Sequence, residues 1–351
     1  MKLKLSVLLI ITLALIAART SHAQTTANKS TEREITFAGA GGWQLHGTLV
    51  LPAGKKGKVP GALLLSGSGP TDRNGNQPPQ MVTDLLKQIA ERLAADGYAS
   101  LRFDKRATHV YMSSWPKEVA APNEFFSWDN FLGDARAGLA FLQSQPEINS
   151  KHTLIAGHSE GSIIAMQVAH DLEGKAGAPA GLILLSAPGR PLGAVLTEQI
   201  DANLKRRNIT GDAAKPYQDN LQLAINQVIK DGTAPPNLLP GLAALFPPSA
   251  LKLLRVELAL DPPKVLSGYS GPVLVIQGEK DIQVSEINDF PLLQSALKQR
   301  QNGTYKAVIV VSASHNLKKV DNENTEFGFG GPVVPHVLDT ISDWLKQTLK
   351  H

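Results

Sequence analysis

The sequence contains no cysteine among its 351 residues. This absence excludes disulfide bonds, cysteine-ligated metals, a cysteine nucleophile and a lipoprotein N-terminus acylated on cysteine. Aromatic residues are few, at 5%, but 42% of the residues are hydrophobic. A chain of this length and composition can bury a full core and does not resemble a disordered polymer, so we expect one large domain or two ordinary ones.

A large excess of either charge is also missing. The 35 Lys and Arg residues against 31 Asp and Glu give a net charge of +4, and the first 23 residues contribute three of the cations and no carboxylate. A chain without those residues would carry 32 cations against 31 carboxylates, or +1. This nearly neutral balance argues against nucleic acid as the main partner.

Residues 1–23 have the pattern of a secretory signal peptide. Lys2 and Lys4 precede an apolar run from Leu5 to Ala18, and Ser21-His22-Ala23 forms a small-x-small cleavage site. The alternative is an uncleaved membrane anchor, but the run is shorter than the ~20 apolar residues that a spanning helix needs. The pattern predicts export to the periplasm or the extracellular space, with no stable membrane insertion after cleavage.

The rest of the chain shows no repeat, no low-complexity tract and no second long apolar run. Short runs rich in leucine or β-branched residues alternate with amphipathic stretches, which is typical of strands and crossover helices around a parallel sheet. The first two strands flank Gly41-Gly42 and predict an antiparallel hairpin, whereas the others mostly have the character of buried parallel strands. Predicted strands cover 34–37, 45–51, 61–66, 99–103, 152–156, 181–185, 272–277 and 306–311. Predicted helices cover 81–95, 128–143, 159–172, 286–299 and 334–349.

Residues 191–267 interrupt this alternation. They contain helical segments such as 221–230 and 249–258, separated by prolines, and no convincing strand. We interpret them as a helical lid inserted after the sixth strand, between core segments 24–190 and 268–351. The alternative is that the insertion only thickens one side of the core.

The sequence Gly157-His158-Ser159-Glu160-Gly161 lies between a β-rich run and a helical run. This is the context of a G-x-S-x-G nucleophile elbow, in which a tight turn exposes a serine at the end of a strand. Side chains at Gly157 and Gly161 would collide with the neighbouring backbone, and Ser159 must tolerate strained dihedral angles. The pattern predicts Ser159 as a nucleophile, with the positive end of the following helix beside it.

A serine needs a base, which in this kind of site is a histidine oriented by a carboxylate. Of nine histidines, His315 alone combines a position after the serine with a loop that follows the last predicted strand. The alternative is an ordinary surface-loop histidine. Asp281, just after the strand 272–277, is the predicted orienting acid, and Glu279 is its rival.

A glycine-rich loop, Ser66 to Asn76, follows the predicted strand 61–66. Backbone N–H groups of Ser68 and of Glu160 are the predicted donors of an oxyanion hole, which stabilises the negative charge of a tetrahedral intermediate. The alternative is an ordinary turn between a strand and a helix.

Together, segments 66–76, 157–161, 278–284 and 314–316 resemble the α/β-hydrolase superfamily, and the order Ser159, Asp281, His315 is the order of its triads. The sequence is similar in particular to bacterial carboxylesterases related to dienelactone hydrolases and to serine aminopeptidase-type hydrolases. The distinctive matches are the run Gly-Ser-Gly-Pro-Thr-Asp-Arg in the loop and the segment 102–106. At Ala107, where relatives often have glycine, the sequence departs from the pattern.

This resemblance extends over about residues 35–349 and implies a mostly parallel eight-stranded sheet flanked by helices. It further implies a serine hydrolase that cleaves short-chain acyl or aryl esters through an acyl-enzyme, with a small-molecule ester as its partner and neither cofactor nor metal. The alternatives are a serine aminopeptidase or amidase, and a binding protein that has lost turnover. Oligomeric state is not predicted. Four charged residues of the loops are expected to form buried ion pairs, or else to line the cleft: Asp72, Arg73, Asp104 and Arg106.

Overall fold

A computed structural model describes residues 30–117, 121–300, 302–321 and 328–348, and the predicted signal peptide lies outside this range. The strands are β1 (Thr31–Ala38), β2 (Gln44–Leu51), β3 (Val59–Leu65), β4 (Ala99–Phe103), β5 (Ile148–His158), β6 (Leu182–Leu185), β7 (Val273–Gly278) and β8 (Tyr305–Val310). The helices are α1 (Leu85–Ala95), α2 (Ala121–Phe125), α3 (Trp128–Ser144), α4 (Glu160–Leu172), α5 (Leu192–Arg206), α6 (Lys215–Asp231), α7 (Leu251–Glu257), α8 (Pro262–Ser267), α9 (Phe290–Gln299) and α10 (Pro335–Thr348). In this part of the chain no helix combines the length and apolar character needed to cross a membrane.

All eight strands form one sheet in the order β1-β2-β4-β3-β5-β6-β7-β8. The hairpin of β1 and β2 is antiparallel, as predicted, and β2 also pairs antiparallel with β4. The remaining strands, from β4 to β8 along the sheet, pair in parallel. The predicted fold class is therefore confirmed, with element ends displaced by a few residues.

The central strands are buried on both faces. Successive side chains of a strand point to opposite sides of the sheet, and each side packs against helices. Leu63 and Leu65 of β3 pack with Leu139 of α3 in one hydrophobic cluster. Leu64, between them, belongs to a second cluster with Ile89 of α1. Helices on both faces cover the sheet and leave the carboxyl ends of the parallel strands at one common edge.

The insertion between β6 and β7 contains α5 to α8, and within residues 191–267 the structure has no strand. Its helices α5, α6 and α7 contribute to a separate hydrophobic cluster. The sequence pattern predicts α6 and α7 but not α5, in which only Gly193, Val195 and Leu204 are buried. So sparse an apolar face gives a weak helical pattern. Lid function of the insertion stays a prediction.

Three of the four charged loop residues form ion pairs as predicted, and Asp72 instead accepts backbone hydrogen bonds. Arg73 Nη2 lies 2.7 Å from Asp104 Oδ2, and Arg106 Nη2 lies 2.6 Å from Oδ1 of Asp134 on α3. Asp72 accepts hydrogen bonds from the backbone N–H groups of Asn74 and Asn76, at 2.8 and 2.9 Å. These charged groups hold the glycine-rich loop and the segment after β4 in place against the sheet.

Candidate active site

Ser159 lies between the end of β5 and the first residue of α4, in the tight turn that its sequence context predicts. Its backbone has φ 55° and ψ −122°, a conformation that is strained for a residue with a side chain. The Ser159 N–H donates to the carbonyl of Leu185 at the end of β6, at 2.9 Å. This bond ties the strained turn to the neighbouring strand.

Two glycines make this turn possible. A Cβ atom on Gly157 would lie 2.1 Å from the carbonyl oxygen of Gly161. A Cβ atom on Gly161 would lie 2.4 Å from the carbonyl oxygen of Leu65 in β3. Any side chain at either position would force strand and helix apart, so the glycines serve close backbone approach, as predicted.

His315 follows β8 in the loop that ends at the same sheet edge. Its Nδ1 lies 2.8 Å from Asp281 Oδ2, and the two side chains are 6% and 0% exposed. The Asp281 carboxylate also accepts hydrogen bonds from the side chain of Gln277 and from the N–H groups of Gln283 and Val284. These bonds fix the carboxylate, and through it the orientation of the imidazole.

Glu279, the rival acid, points elsewhere. Its Oε2 accepts a hydrogen bond from the N–H of Ser312 at 2.9 Å, and this bond lowers the pKa of the Glu279 carboxyl. The geometry therefore favours Asp281 as the partner of His315. His315 is buried, which does not fit the alternative of an ordinary surface-loop histidine.

Ser159 and His315 line one small cleft together with Gly67, Ser68 and His158. A Cβ atom on Gly67 would lie 3.2 Å from Cβ of Ser159, so the glycine-rich loop runs directly beside the predicted nucleophile. Glu160 begins α4, and the first N–H groups of a helix have no partner within the helix. Both predicted oxyanion-hole donors thus belong to segments that flank Ser159.

The buried cation of Lys105 links these two segments. Its Nζ donates to the carbonyl oxygen of Gly67 and lies 3.2 Å from Oε1 of Glu160. Because the C=O and N–H of a trans peptide point in opposite directions, a bond to the Gly67 carbonyl also orients the N–H of Ser68. Lys105 therefore positions the peptide of one predicted donor and the side chain of the residue that carries the other.

The imidazole ring of His158 packs against that of His315. The two ring centroids are 4.8 Å apart, and His158 Nε2 donates to the carbonyl oxygen of His315 at 2.9 Å. Burial lowers the pKa of His158 to about 3, and the neighbouring His315 adds to this effect. His158 is thus a neutral support for the histidine loop.

A larger cavity of about 530 Å³ opens on the other side of Ser68, between the core and the insertion. Ser68 lines both spaces, and Glu160, next to Ser159 in the chain, lines the cavity. Its walls include apolar residues of α5 and α7, such as Leu196 and Leu253. The cavity therefore lies next to the cleft of Ser159 and has largely apolar walls. Among residues 30–117, 121–300, 302–321 and 328–348, no three His, Asp or Glu side chains cluster so as to hold a metal ion.

Solved structures with the same architecture were found by comparison of coordinates. An esterase from Pyrococcus furiosus matches with a TM-score of 0.55 and 14% identity, over 91% of this chain and 91% of that one. A dienelactone hydrolase from Anabaena variabilis matches with a TM-score of 0.51 and 17% identity, over 91% and 99%. The dipeptidyl peptidase 4 of Porphyromonas gingivalis matches with a TM-score of 0.51 and 12% identity, over 91% of this chain but 36% of that one.

This protein has the α/β-hydrolase fold. No protein-family model matches the sequence, and no curated protein matches it. At identities of 12% to 17%, the likeness to solved structures establishes the architecture and leaves the chemistry to the residues of the site.

Three buried residues in or beside this cleft and cavity were not predicted from the sequence. Lys105 stands between Asp104 and Arg106, and such a charged run directly after a buried strand could have indicated a buried ionic network. The His158 side chain lines the cleft, where its Nε2 donates to the carbonyl oxygen of His315, and no sequence pattern indicated this contact. Glu257 on α7 gave no signal, because a glutamate in an amphipathic helix is ordinarily exposed.

The lowered pKa of His158 predicts a pH dependence of stability. Between the pKa of an exposed histidine, about 6.5, and the folded value of about 3, only the unfolded chain binds this proton. The contribution of His158 is therefore fully present above pH 6.5 and is lost as the pH falls. The slope approaches about 1.4 kcal/mol per pH unit. Urea unfolding of His158→Asn from pH 4 to 7 should show this slope reduced relative to wild type.

The exposed His336 on α10 provides the matched control. His336→Asn should keep the wild-type slope. An unchanged slope in His158→Asn would show that the folded and unfolded chains bind this proton equally, so that folding does not lower the pKa of His158.

Proposed function

We propose that this protein is a serine hydrolase that cleaves carboxylic esters through an acyl-enzyme intermediate. The observation that carries the proposal is the buried hydrogen bond between His315 and Asp281, in a cleft that His315 shares with Ser159 of a strained elbow. A serine, an imidazole and an orienting carboxylate are the three groups that nucleophilic acyl transfer requires.

In the proposed reaction, His315 accepts the proton of Ser159 Oγ as the oxygen attacks the ester carbonyl carbon. The resulting oxyanion receives hydrogen bonds from the N–H groups of Ser68 and Glu160. Collapse of this intermediate expels the alcohol, to which His315 returns the proton. Water then attacks the acyl-enzyme while His315 accepts its proton, and collapse of the second intermediate releases the carboxylic acid and returns the proton to Ser159. In both steps Asp281 stabilises the imidazolium without accepting a proton.

Esters are favoured over peptides as substrates by the apolar walls of the cavity beside Ser68. These apolar walls suit an acyl or aryl group. A solved esterase also shares the fold. A peptidase of the same fold keeps amide hydrolysis as the second candidate. The leader pattern of residues 1–23 further favours a reaction in the periplasm or outside the cell.

A fluorophosphonate probe tests for an activated serine. The wild-type protein should be labelled covalently, and Ser159→Ala should not be labelled. The adjacent Ser162, whose Oγ donates to the carbonyl of Gly157, provides a matched serine control, and Ser162→Ala should retain labelling. Labelling that survives Ser159→Ala would contradict the proposal.

A comparison of substrates tests the preference for esters. p-Nitrophenyl acyl esters should be hydrolysed faster than aminoacyl p-nitroanilides. Faster cleavage of the anilides would favour the amidase.

Substitutions of the two acids near β7, Asp281 and Glu279, should differ in their effect on kcat. Asp281→Asn should lower kcat for p-nitrophenyl esters by about 10⁴-fold, because the amide can hold the imidazole in the wrong tautomer. Glu279→Gln should lower kcat by less than about tenfold, since Glu279 bonds the N–H of Ser312 rather than His315. The opposite ranking would assign the orienting role to Glu279.

Lys105→Met should lower kcat by roughly 10- to 100-fold with a smaller change in KM, because a misoriented oxyanion-hole donor weakens transition-state binding more than substrate binding. Lys105→Arg keeps the charge and should recover part of the loss. Lys298, exposed on α9, offers a control substitution, Lys298→Met. An equal effect on kcat and KM, without rescue by arginine, would indicate a purely structural role.

A further inference from the structure

The cavity between the core and the insertion contains a carboxyl group with no assigned role. Glu257, at the end of α7, lines this cavity and is 5% exposed. Within the described part of the chain, its Oε1 is buried without a hydrogen-bond partner. A buried polar atom that lacks a partner destabilises the folded state, so a ligand group that supplies a partner is favoured there.

The charged groups around Glu257 indicate what kind of partner fits. Lys105 and Glu160 line the same cavity and form an ion pair at 3.2 Å, so their charges compensate each other. Burial raises the pKa of Glu257 well above its ordinary value, and Glu160 adds to the rise while Lys105 opposes it. A neutral carboxyl group can both donate and accept a hydrogen bond, as a hydroxyl group can.

The other walls of the cavity disfavour an ammonium group. Aromatic and aliphatic side chains surround the three polar ones, among them Trp115, Phe126 and Leu253. Burying an ammonium group there would cost its hydration, and the compensated pair of Lys105 and Glu160 offers it no net negative charge. An uncharged apolar group that ends in a hydroxyl can bury its body against these walls and pair its end with Glu257.

We propose that Glu257 is a specificity-determining residue that receives a hydroxyl group at the end of the apolar part of the ester substrate. The proposal rests on the proposed hydrolysis at Ser159, and it narrows the substrate class to uncharged hydroxyaryl or hydroxyalkyl esters. The position of the cavity supports it, because Ser68 borders both the cleft of Ser159 and this cavity. The carboxyl group of Glu257 forms a hydrogen bond with the hydroxyl at the far end of the substrate while the ester carbonyl lies at Ser159.

Matched substrates that differ by one hydroxyl test this assignment. Methyl 3-(4-hydroxyphenyl)propanoate is compared with methyl 3-phenylpropanoate, and 3-(4-hydroxyphenyl)propyl acetate with 3-phenylpropyl acetate, so that either side of the ester can occupy the cavity. Analogues with one methylene fewer or more adjust the reach. The wild-type protein should prefer the hydroxylated member of at least one pair by about tenfold or more in kcat/KM.

Three variants separate the role of Glu257 from general packing. Glu257→Leu should lower this preference by about 10- to 100-fold, because the substrate hydroxyl is then buried without a partner. Glu257→Gln, which can also donate and accept, should keep most of it. Glu91→Leu, at an exposed glutamate of α1, should keep the wild-type ratio.

No preference in the wild-type protein, or a preference that persists in Glu257→Leu, would overturn the assignment. Faster cleavage of a 4-aminomethylphenyl analogue than of its hydroxyl counterpart would overturn it in favour of an ammonium site. Should Glu257→Leu fail to fold, as judged by its thermal unfolding, the wild-type ratio still tests the assignment, because the absence of a preference would overturn it.

Calorimetric binding to Ser159→Ala separates this assignment from the proposed function. 3-(4-Hydroxyphenyl)propan-1-ol should bind about tenfold more tightly than 3-phenylpropan-1-ol, without any turnover. Selective binding without ester cleavage by the wild type would contradict the hydrolase and retain the hydroxyl site. Ester cleavage without selective binding would retain the hydrolase and reject the hydroxyl site.

Discussion

The candidate site depends on the buried hydrogen bond between His315 Nδ1 and Asp281 Oδ2, 2.8 Å long. This bond requires β7 and β8 to be parallel neighbours, because only then do the loops that carry the two residues leave the sheet at the same edge. It also requires a fixed carboxylate, which Gln277 and the turn after β7 provide. The imidazole then has one free nitrogen, Nε2, for proton transfer.

The supports of this bond are themselves buried and polar. Ser186 and His158 both donate to the carbonyl oxygen of His315, at 2.8 and 2.9 Å, and hold its loop from below. On the other side of Ser159, Lys105 ties the glycine-rich loop to Glu160. Strain at the elbow persists because these contacts over-determine the positions of its neighbours. The site is therefore built from polar contacts between sequence-distant segments, on an apolar sheet.

The insertion adds a wall to the site without extending the sheet. Its helices have a hydrophobic cluster of their own, while α7 presents Glu257 to the cavity shared with the core. In the proposed reaction, the strand ends hold the reacting groups, and the helices shape the space for the rest of the substrate. On that proposal, changes in the insertion alter substrate choice while the cleft of Ser159 stays the same.

Local patterns determined much of this protein. The alternation of strands and helices, the elbow around Ser159 and the chain order of Ser159, Asp281 and His315 are all readable from the sequence, because they depend on short-range sterics and on burial periodicity. Only the tertiary structure decided between Asp281 and Glu279, since two carboxylates in one turn differ by where the turn aims them. It alone also placed Lys105 between two loops and Glu257 inside a cavity, because contacts between distant segments follow from strand order and loop path.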